Sequence, residues 1–388
     1  MKELGFDVVI HLAGEQAVPN YMAVKLCEAE CHVLLTTTRT KSQYEKLVRM
    51  FPERHNFIRH LEVPSTNYAE IKQKIEECCD SISAMSIGVN ITGGTKPMST
   101  AALDVCRNRG YTPFYFDTQE RKIHFFTADY TVIEMPPVFE TVEEFVRLSG
   151  YEVVANGRCL EDISEEEREL AKVFWKNKDF VRRAIGDFSS ATDKRFQNQK
   201  DNPPACYQEA LRVLRGRQDK RGKELLSAWE RCYPPKSSDW RRAARFGAGE
   251  WFEVWSLLQF GESRSRDGFL DLRTGMSISF SDMTQSAQEV DLIYTDGYVL
   301  SIVECKAGQV KQEHVQKLEN IRRQIGGVMG RGILCAINYQ YEDEIVCQRV
   351  KNGTISLVTG DEALRMLPTR SSLVRPGRCY QERFDYDA

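Results

Sequence analysis

From Phe6 to Arg107 short apolar runs alternate with longer stretches whose apolar residues return at helical spacing, and no other feature of the sequence restricts its fold as tightly. Strands are expected over 6–12, 32–37, 57–63 and 86–91, with helices between them and a last helix reaching Arg107. Strands that alternate with helices pair in parallel, and a parallel sheet needs helices on both faces. The first part of the chain is therefore expected to be an α/β, Rossmann-like, doubly wound sheet. Further strands over 112–117, 122–127 and 131–135 extend it, and Pro136-Pro137 closes the domain.

The fourth strand runs directly into Thr92-Gly93-Gly94-Thr95-Lys96-Pro97-Met98. Two glycines let backbone approach a ligand, Thr95 can cap the next helix, and Pro97 fits its first turn. Exposed N–H groups at the positive end of a helix dipole, with Lys96 beside them, make an anion site. The spacing is not that of a Walker loop, and no Gly-Xaa-Gly-Xaa-Xaa-Gly follows the first strand, which counts against a dinucleotide oxidoreductase. The stretch is similar to the motif of CARF domains, the CRISPR-associated Rossmann folds, and Gly14-Glu15-Gln16 followed by Pro19-Asn20 fits the same family. The resemblance implies that cyclic oligoadenylate binds across the two-fold axis of a homodimer. Its contacts would be Gly14, Glu15, Gln16, Pro19 and Asn20 in the first loop and Thr92, Gly93, Gly94, Thr95, Lys96 and Met98 in the second. Thr37, Thr38 and Arg39, after the second strand, are placed to join them. A cyclic, symmetric polyanion suits an isologous interface that brings two helix N-termini together.

A second constraint lies between Gln288 and Lys306, where two β-rich runs flank Asp296-Gly297. That dipeptide suits a two-residue type I′ turn, so an antiparallel hairpin is expected with Thr295 facing Tyr298. Counting outward puts Glu289, Asp291, Glu304 and Lys306 on one face, and Val290, Leu292, Tyr294, Val299, Val303 and Cys305 on the other, buried one. Carboxylates gathered beside a lysine repel one another unless a cation joins them, and hard oxygen ligands suit Mg²⁺ or Mn²⁺.

Asp291 followed by Glu304-Cys305-Lys306 resembles the PD-(D/E)XK nuclease signature, although the proline usual before the first Asp is absent. The stretch from Gly247 to Trp255, with Glu250 and Glu253 as i, i+3 neighbours, looks like the helix that adds an acidic residue in that family. The resemblance implies that Asp291, Glu304 and the Cys305 carbonyl hold the metal while Lys306 orients or activates the attacking water. Glu253 would support the metal shell, with Glu250 and Glu289 as further candidates. It also implies a basic or amide side chain beside the scissile phosphate from the helix expected over 310–325, where Arg322 and Gln324 are candidates.

A chain of 388 residues is too long for one ordinary core. Three pieces are expected: a sensor over 1–140, a mostly helical connector over 141–240 that a winged-helix module would also fit, and an α/β/α nuclease over 241–388. Ser189 to Pro204 reads as a polar loop, and Pro234-Pro235-Lys236-Ser237-Ser238 marks the second boundary. No apolar run is long enough to span a bilayer and the start lacks a signal-peptide pattern, so a cytoplasmic protein without membrane contact is expected. The twelve cysteines are dispersed and read as buried free thiols. Net charge is −3, so any nucleic-acid contact relies on local basic patches.

CARF-like domain, connector and PD-(D/E)XK nuclease in that order resemble the ancillary nucleases of type III CRISPR systems. The resemblance implies a metal-dependent endonuclease acting on DNA, RNA or both, switched on by cyclic oligoadenylate, by preference cyclic tetra-adenylate. The alternative is a ligand-sensing, DNA-binding transcriptional regulator with a degenerate nuclease fold. An intact Asp291, Glu304 and Lys306 set argues against it.

Overall fold

In the computed structural model the described residues are 4–54, 57–82, 84–193, 203–235, 239–267, 269–280, 287–327, 330–337, 348, 355–359 and 379–380. Most of the polar loop expected at 189–204, part of the boundary at 234–238 and the helix expected after Tyr339 lie outside them. The chain forms two compact units. The first is Met1–Glu152 together with Thr295–Val299, and the second is Val153–Tyr294 with Leu300–Ala388.

In the first unit seven strands stand in the order Ile58–Glu62, Cys31–Thr36, Val8–Leu12, Ile87–Asn90, Thr112–Asp117, Lys122–Phe125, Thr131–Glu134. The first five are parallel and the last two antiparallel. The doubly wound sheet expected from the strand–helix alternation is present. The first helix, Val18–Leu26, ends where Cys27–Glu28 turns into a short strand parallel to Leu4–Gly5. The central apolar runs bury both faces, so Val9, Ile10, Leu12, Leu34, Leu35 and Val89 are almost wholly inaccessible.

Strand order reverses beside Val8–Leu12: the chain next pairs Cys31–Thr36 on one side and later Ile87–Asn90 on the other. The crevice outside the carboxyl ends of those two central strands is where such sheets bind ligands.

Residues 295–299 complete this unit. The N–H groups of Val138 and Phe139 both donate to the Gly297 carbonyl, at 2.9 and 3.0 Å. Arg121 pairs with the buried Asp296 at 2.8 Å and lies over the Tyr298 ring, whose hydroxyl donates to the Met135 carbonyl. The turn itself differs from the expected type I′. The strands end at Thr295 and resume at Leu300, and only Gly297 has positive φ, at 89°. The loop is longer because Asp296 Oδ1 accepts from the N–H groups of Tyr298 and Val299, while Thr295 Oγ1 accepts from Gly297 and donates to Val299.

The second unit combines helices Glu165–Lys176, Lys178–Ala191, Ala205–Arg215 and Lys220–Cys232 with a seven-stranded sheet. Glu165–Lys176 begins at a capping box in which Ser164 and Glu167 satisfy each other's backbone N–H groups. In the sheet, Asp271–Ser279, Ala287–Thr295, Leu300–Lys306 and Arg331–Ala336 are neighbours in that order, the last pair parallel. Asp271–Ser279 is one continuous strand that runs through Gly275, whose φ is 68°. The helices expected as a separate connector share one core with this sheet: Phe174, Phe188 and Trp229 are continuous with Trp251, Leu292, Val303 and Cys335. Cys27, Cys79, Cys106, Cys305 and Cys335 are buried and free. No helix among the described residues is long and apolar enough to cross a membrane.

Candidate functional site

Asp291 sits midway along Ala287–Thr295, and Glu304 and Lys306 close the neighbouring strand. Their strands are apolar on both sides, so the carboxylates are carried into the interior: Asp291 is 9 % exposed and Glu304 4 %. Cys305 N–H donates to Asp291 Oδ2 at 2.7 Å, which fixes the carboxylate against the next strand. Lys306 Nζ stands 3.2 Å from Asp291 Oδ2, 2.7 Å from Glu304 Oε1 and 3.1 Å from the Cys305 carbonyl oxygen. Three oxygens from two strands thus converge on one cationic group.

Burial pushes the Asp291 carboxyl up, as does Glu304, while Lys306, Lys317 and the Cys305 N–H oppose the rise. Burial works against charge on Lys306, yet Asp291 and Glu304 outweigh it and hold its ammonium well above the ordinary lysine range. A fourth charged group is Lys317, 3.3 Å from Glu304 Oε2. It comes from the helix Gln312–Ile321, the element expected to supply a basic residue. Of the residues expected there, Arg322 is buried and donates to the Gly330 carbonyl, and Gln324 is exposed. One turn changes to π geometry over Arg322–Gly326, which breaks the helical phase that the expectation assumed.

Glu250 and Glu253 both follow a kink at Gly249. Trp240–Arg245 passes through the π turn Phe246–Glu250, in which Gly249 is non-helical, into Trp251–Asp267. Burial drives the Glu253 carboxyl well above the ordinary range, with Asp291, Glu250 and Glu289 adding to the shift. Glu253 therefore shares an electrostatic site with Asp291. Glu250 is engaged by Arg158 Nη2, and Glu289 is exposed at the start of its strand.

Among the described residues no three His, Cys, Asp or Glu side chains group closely enough to enclose a metal by themselves. Asp291, Glu304 and the Cys305 carbonyl, already gathered around an ammonium, fit a hard divalent cation that completes its shell with water.

In the first unit the two expected loops meet at the switch point. A side chain on Gly93 would place its Cβ 2.3 Å from the Leu12 carbonyl oxygen, and one on Gly14 would stand 3.3 Å from Gly94 N. Only glycine permits this approach. Gly94 has φ 79°, and Thr95 caps the helix Lys96–Arg109 by accepting from Met98 N–H. Lys96 is exposed at that N-terminus, and Gly14, Gln16, Pro19, Thr92 and Thr95 are partly accessible. Glu15 and Arg39 form an exposed pair at 2.7 Å, and Thr38 donates to Glu62.

Three expected contacts lie inside instead. Met98 is wholly buried in the core, where its sulfur accepts from Thr95 N–H. Asn20 is 1 % exposed beside Asn90, and Thr37 is turned in toward Thr40. These residues shape the loops. His11 is likewise a core residue, bonded to His32 at 2.9 Å.

The sequence offered no signal for Lys317 beyond helical spacing. None marked Thr274, whose hydroxyl donates to the Asp291 carbonyl, or Arg158, which is 92 residues from its partner Glu250.

The family model of the Card1 CARF domain matches residues 8–145, and that of the Card1-like endonuclease domain matches residues 240–370. No curated protein matches the sequence. Among solved structures the chain is similar to Can2 from Sulfobacillus thermosulfidooxidans in complex with cyclic tetra-adenylate. The TM-score is 0.72 and identity 18 %, over 92 % of this chain and 96 % of that one. It is also similar to protein VC1899 from Vibrio cholerae, with TM-score 0.76 and 16 % identity over 93 % and 96 % of the two chains. A type III CRISPR defence DNA nuclease activated by cyclic oligoadenylate aligns with TM-score 0.54 and 16 % identity, over 95 % of this chain and 50 % of that one. This chain thus spans about half the length of that nuclease. At these identities the likenesses establish a shared fold. The two domain models, in order along one chain, establish the family: the protein belongs to the Card1-like CARF-domain endonucleases of CRISPR systems.

Proposed function

We propose that this protein is a divalent-metal-dependent endonuclease of CRISPR defence, switched on by cyclic oligoadenylate and acting as a homodimer. The observation that carries the reading is the convergence of Asp291, Glu304 and the Cys305 carbonyl on one cationic position, with Lys306 there, inside a Card1-like endonuclease domain. These three oxygens would hold Mg²⁺ or Mn²⁺, which when bound polarises a phosphate and lowers the pKa of a water. Lys306 then orients that water and offsets charge developing on the phosphate. Lys317 neutralises the outer oxygen of Glu304, and Glu253 supports the shell through water.

The messenger binds at the switch-point loops, with Lys96 and the helix N-terminus facing its phosphates. Cyclic tetra-adenylate is the ring size proposed, supported by the likeness to a protein solved with that molecule. Both DNA and RNA are proposed substrates.

The test is cleavage of supercoiled plasmid, single-stranded DNA and RNA by purified protein with Mn²⁺ or Mg²⁺, with and without cyclic tetra-adenylate, beside Glu304→Ala. Ligand-dependent cutting that the substitution abolishes is the expected result. Cutting that ignores every cyclic oligoadenylate sinks the sensor half. Metal-independent DNA binding with no cutting at all replaces the reading with a regulator.

A further inference from the structure

Behind the acidic cluster lies a network whose key residue falls outside both matched domains, between residues 145 and 240. Gly157 has φ 67°, and a Cβ there would stand 2.4 Å from the Thr274 carbonyl oxygen, so the chain can lie against the strand Asp271–Ser279 only with glycine at this point. The next residue, Arg158, exchanges two backbone hydrogen bonds with Thr274, at 2.8 and 2.9 Å. Thr274 is 2 % exposed and donates its hydroxyl to the Asp291 carbonyl at 2.8 Å. The Arg158 guanidinium reaches Glu167 with Nη1, at 3.1 Å, and Glu250 with Nη2. Glu167 is itself buried and also takes Arg242, at 2.7 Å.

One side chain therefore engages a carboxylate of the kinked helix while its own backbone braces the strand that presents Asp291. Glu250 adds to the field that raises the Glu253 carboxyl, and the Arg158 guanidinium is a counter-charge to Glu250. A guanidinium serves two carboxylates at once because its donors form a planar fork.

We propose that Arg158 is a positioning residue for the acidic cluster around the metal position, its guanidinium holding Glu250 beside Glu253 while its backbone, through Thr274, steadies the strand of Asp291. The inference rests on the endonuclease reading. Its consequence is that removing the guanidinium loosens divalent-cation binding and slows cleavage, although Arg158 touches neither metal nor substrate.

The experiment is calorimetric titration of Mn²⁺ into full-length, substrate-free protein, run beside cleavage kinetics and thermal melting, for wild type, Arg158→Ala and Arg158→Lys. Expected for Arg158→Ala are Mn²⁺ binding weakened about 10- to 100-fold and kcat lowered comparably, with KM for nucleic acid unchanged. Arg158→Lys should recover part of both, because it restores charge without the fork. A folded Arg158→Ala variant with wild-type Mn²⁺ affinity and kcat overturns the proposal. Should Arg158→Ala not fold, Arg158→Lys is compared alone and in a Glu250→Gln background. Loss of its effect in that background supports the pairing, and additive effects overturn it. Wild type that neither binds Mn²⁺ nor cuts overturns this proposal together with the endonuclease reading. Wild type that does both beside an indifferent variant overturns this one alone.

Discussion

At the level of single residues, the site is defined by how few groups share its charge. Asp291 and Glu304 are balanced by Lys306 and Lys317. Glu304→Ala removes an oxygen ligand and both lysine pairings, and we predict a loss of cleavage of about a thousandfold with little change in substrate binding. Lys306→Ala should cost about a hundredfold or more in kcat. Lys317→Ala, which touches only the outer oxygen of Glu304, should cost about tenfold. Single-turnover rates at saturating Mn²⁺ measure all three. An inverted order, with Lys317 the more damaging, would assign the water-orienting role to the helix instead of the strand. The hairpin residues were legible in the sequence because alternation in a strand fixes which side chains share a face. Arg158, Thr274 and Lys317 were not, since each joins the site through a contact between separate elements, which periodicity within one element does not report.

Among elements, the loop after Ile87–Asn90 depends on Gly93, where any Cβ would collide with the Leu12 carbonyl oxygen. Gly93→Ala should lower stability by about 1–3 kcal/mol and abolish messenger binding, whereas Lys96→Ala should weaken binding about tenfold and leave the melting temperature unchanged. Calorimetry with cyclic tetra-adenylate beside thermal melts separates the two. The helix Val142–Leu148 supplies a pH-sensitive fastening. Glu144 closes its capping box, accepts from Tyr21 at 2.6 Å and pairs with Lys25 at 2.8 Å. Burial raises its carboxyl, but the bonds from Lys25, Tyr21 and the Glu140 N–H more than offset this, and it lies below its ordinary value of 4.5. A carboxyl depressed on folding stabilises above its unfolded pKa, and that contribution is lost as pH falls through the folded value. Glu144→Ala should therefore cost about 2 kcal/mol at neutral pH and converge with wild type as pH drops below the ordinary glutamate range, as urea unfolding at stepped pH would show. Equal cost at every pH would mean that Glu144 acts only by packing. The capping boxes and the glycine loop were readable because local backbone chemistry decides them. The π turn over Arg322–Gly326 was not, because helical spacing does not mark it.

For the whole molecule, the sequence revealed a parallel sheet followed by an acidic hairpin because each follows from periodicity along one stretch of chain. It did not reveal that the residues around Asp296-Gly297 belong with the first 152, since that membership rests on bonds from Arg121, Met135, Val138 and Phe139, which lie far away in sequence. The chain therefore passes from one unit to the other three times, after Glu152, before Thr295 and after Val299. A protease site placed at Val154, which is 62 % exposed, should yield two bands on a denaturing gel yet a single species in gel filtration. Separation of the pieces without denaturant would show that the loop contributes little to the first unit. The arrangement also bears on inheritance. Neither half is a self-contained cassette, so a recombination that exchanged one sensor for another would leave five residues of the old partner embedded in the middle of the endonuclease gene. Sensor and endonuclease in such a chain are bound to diverge together, each change in the one answered by a change in a loop encoded inside the other.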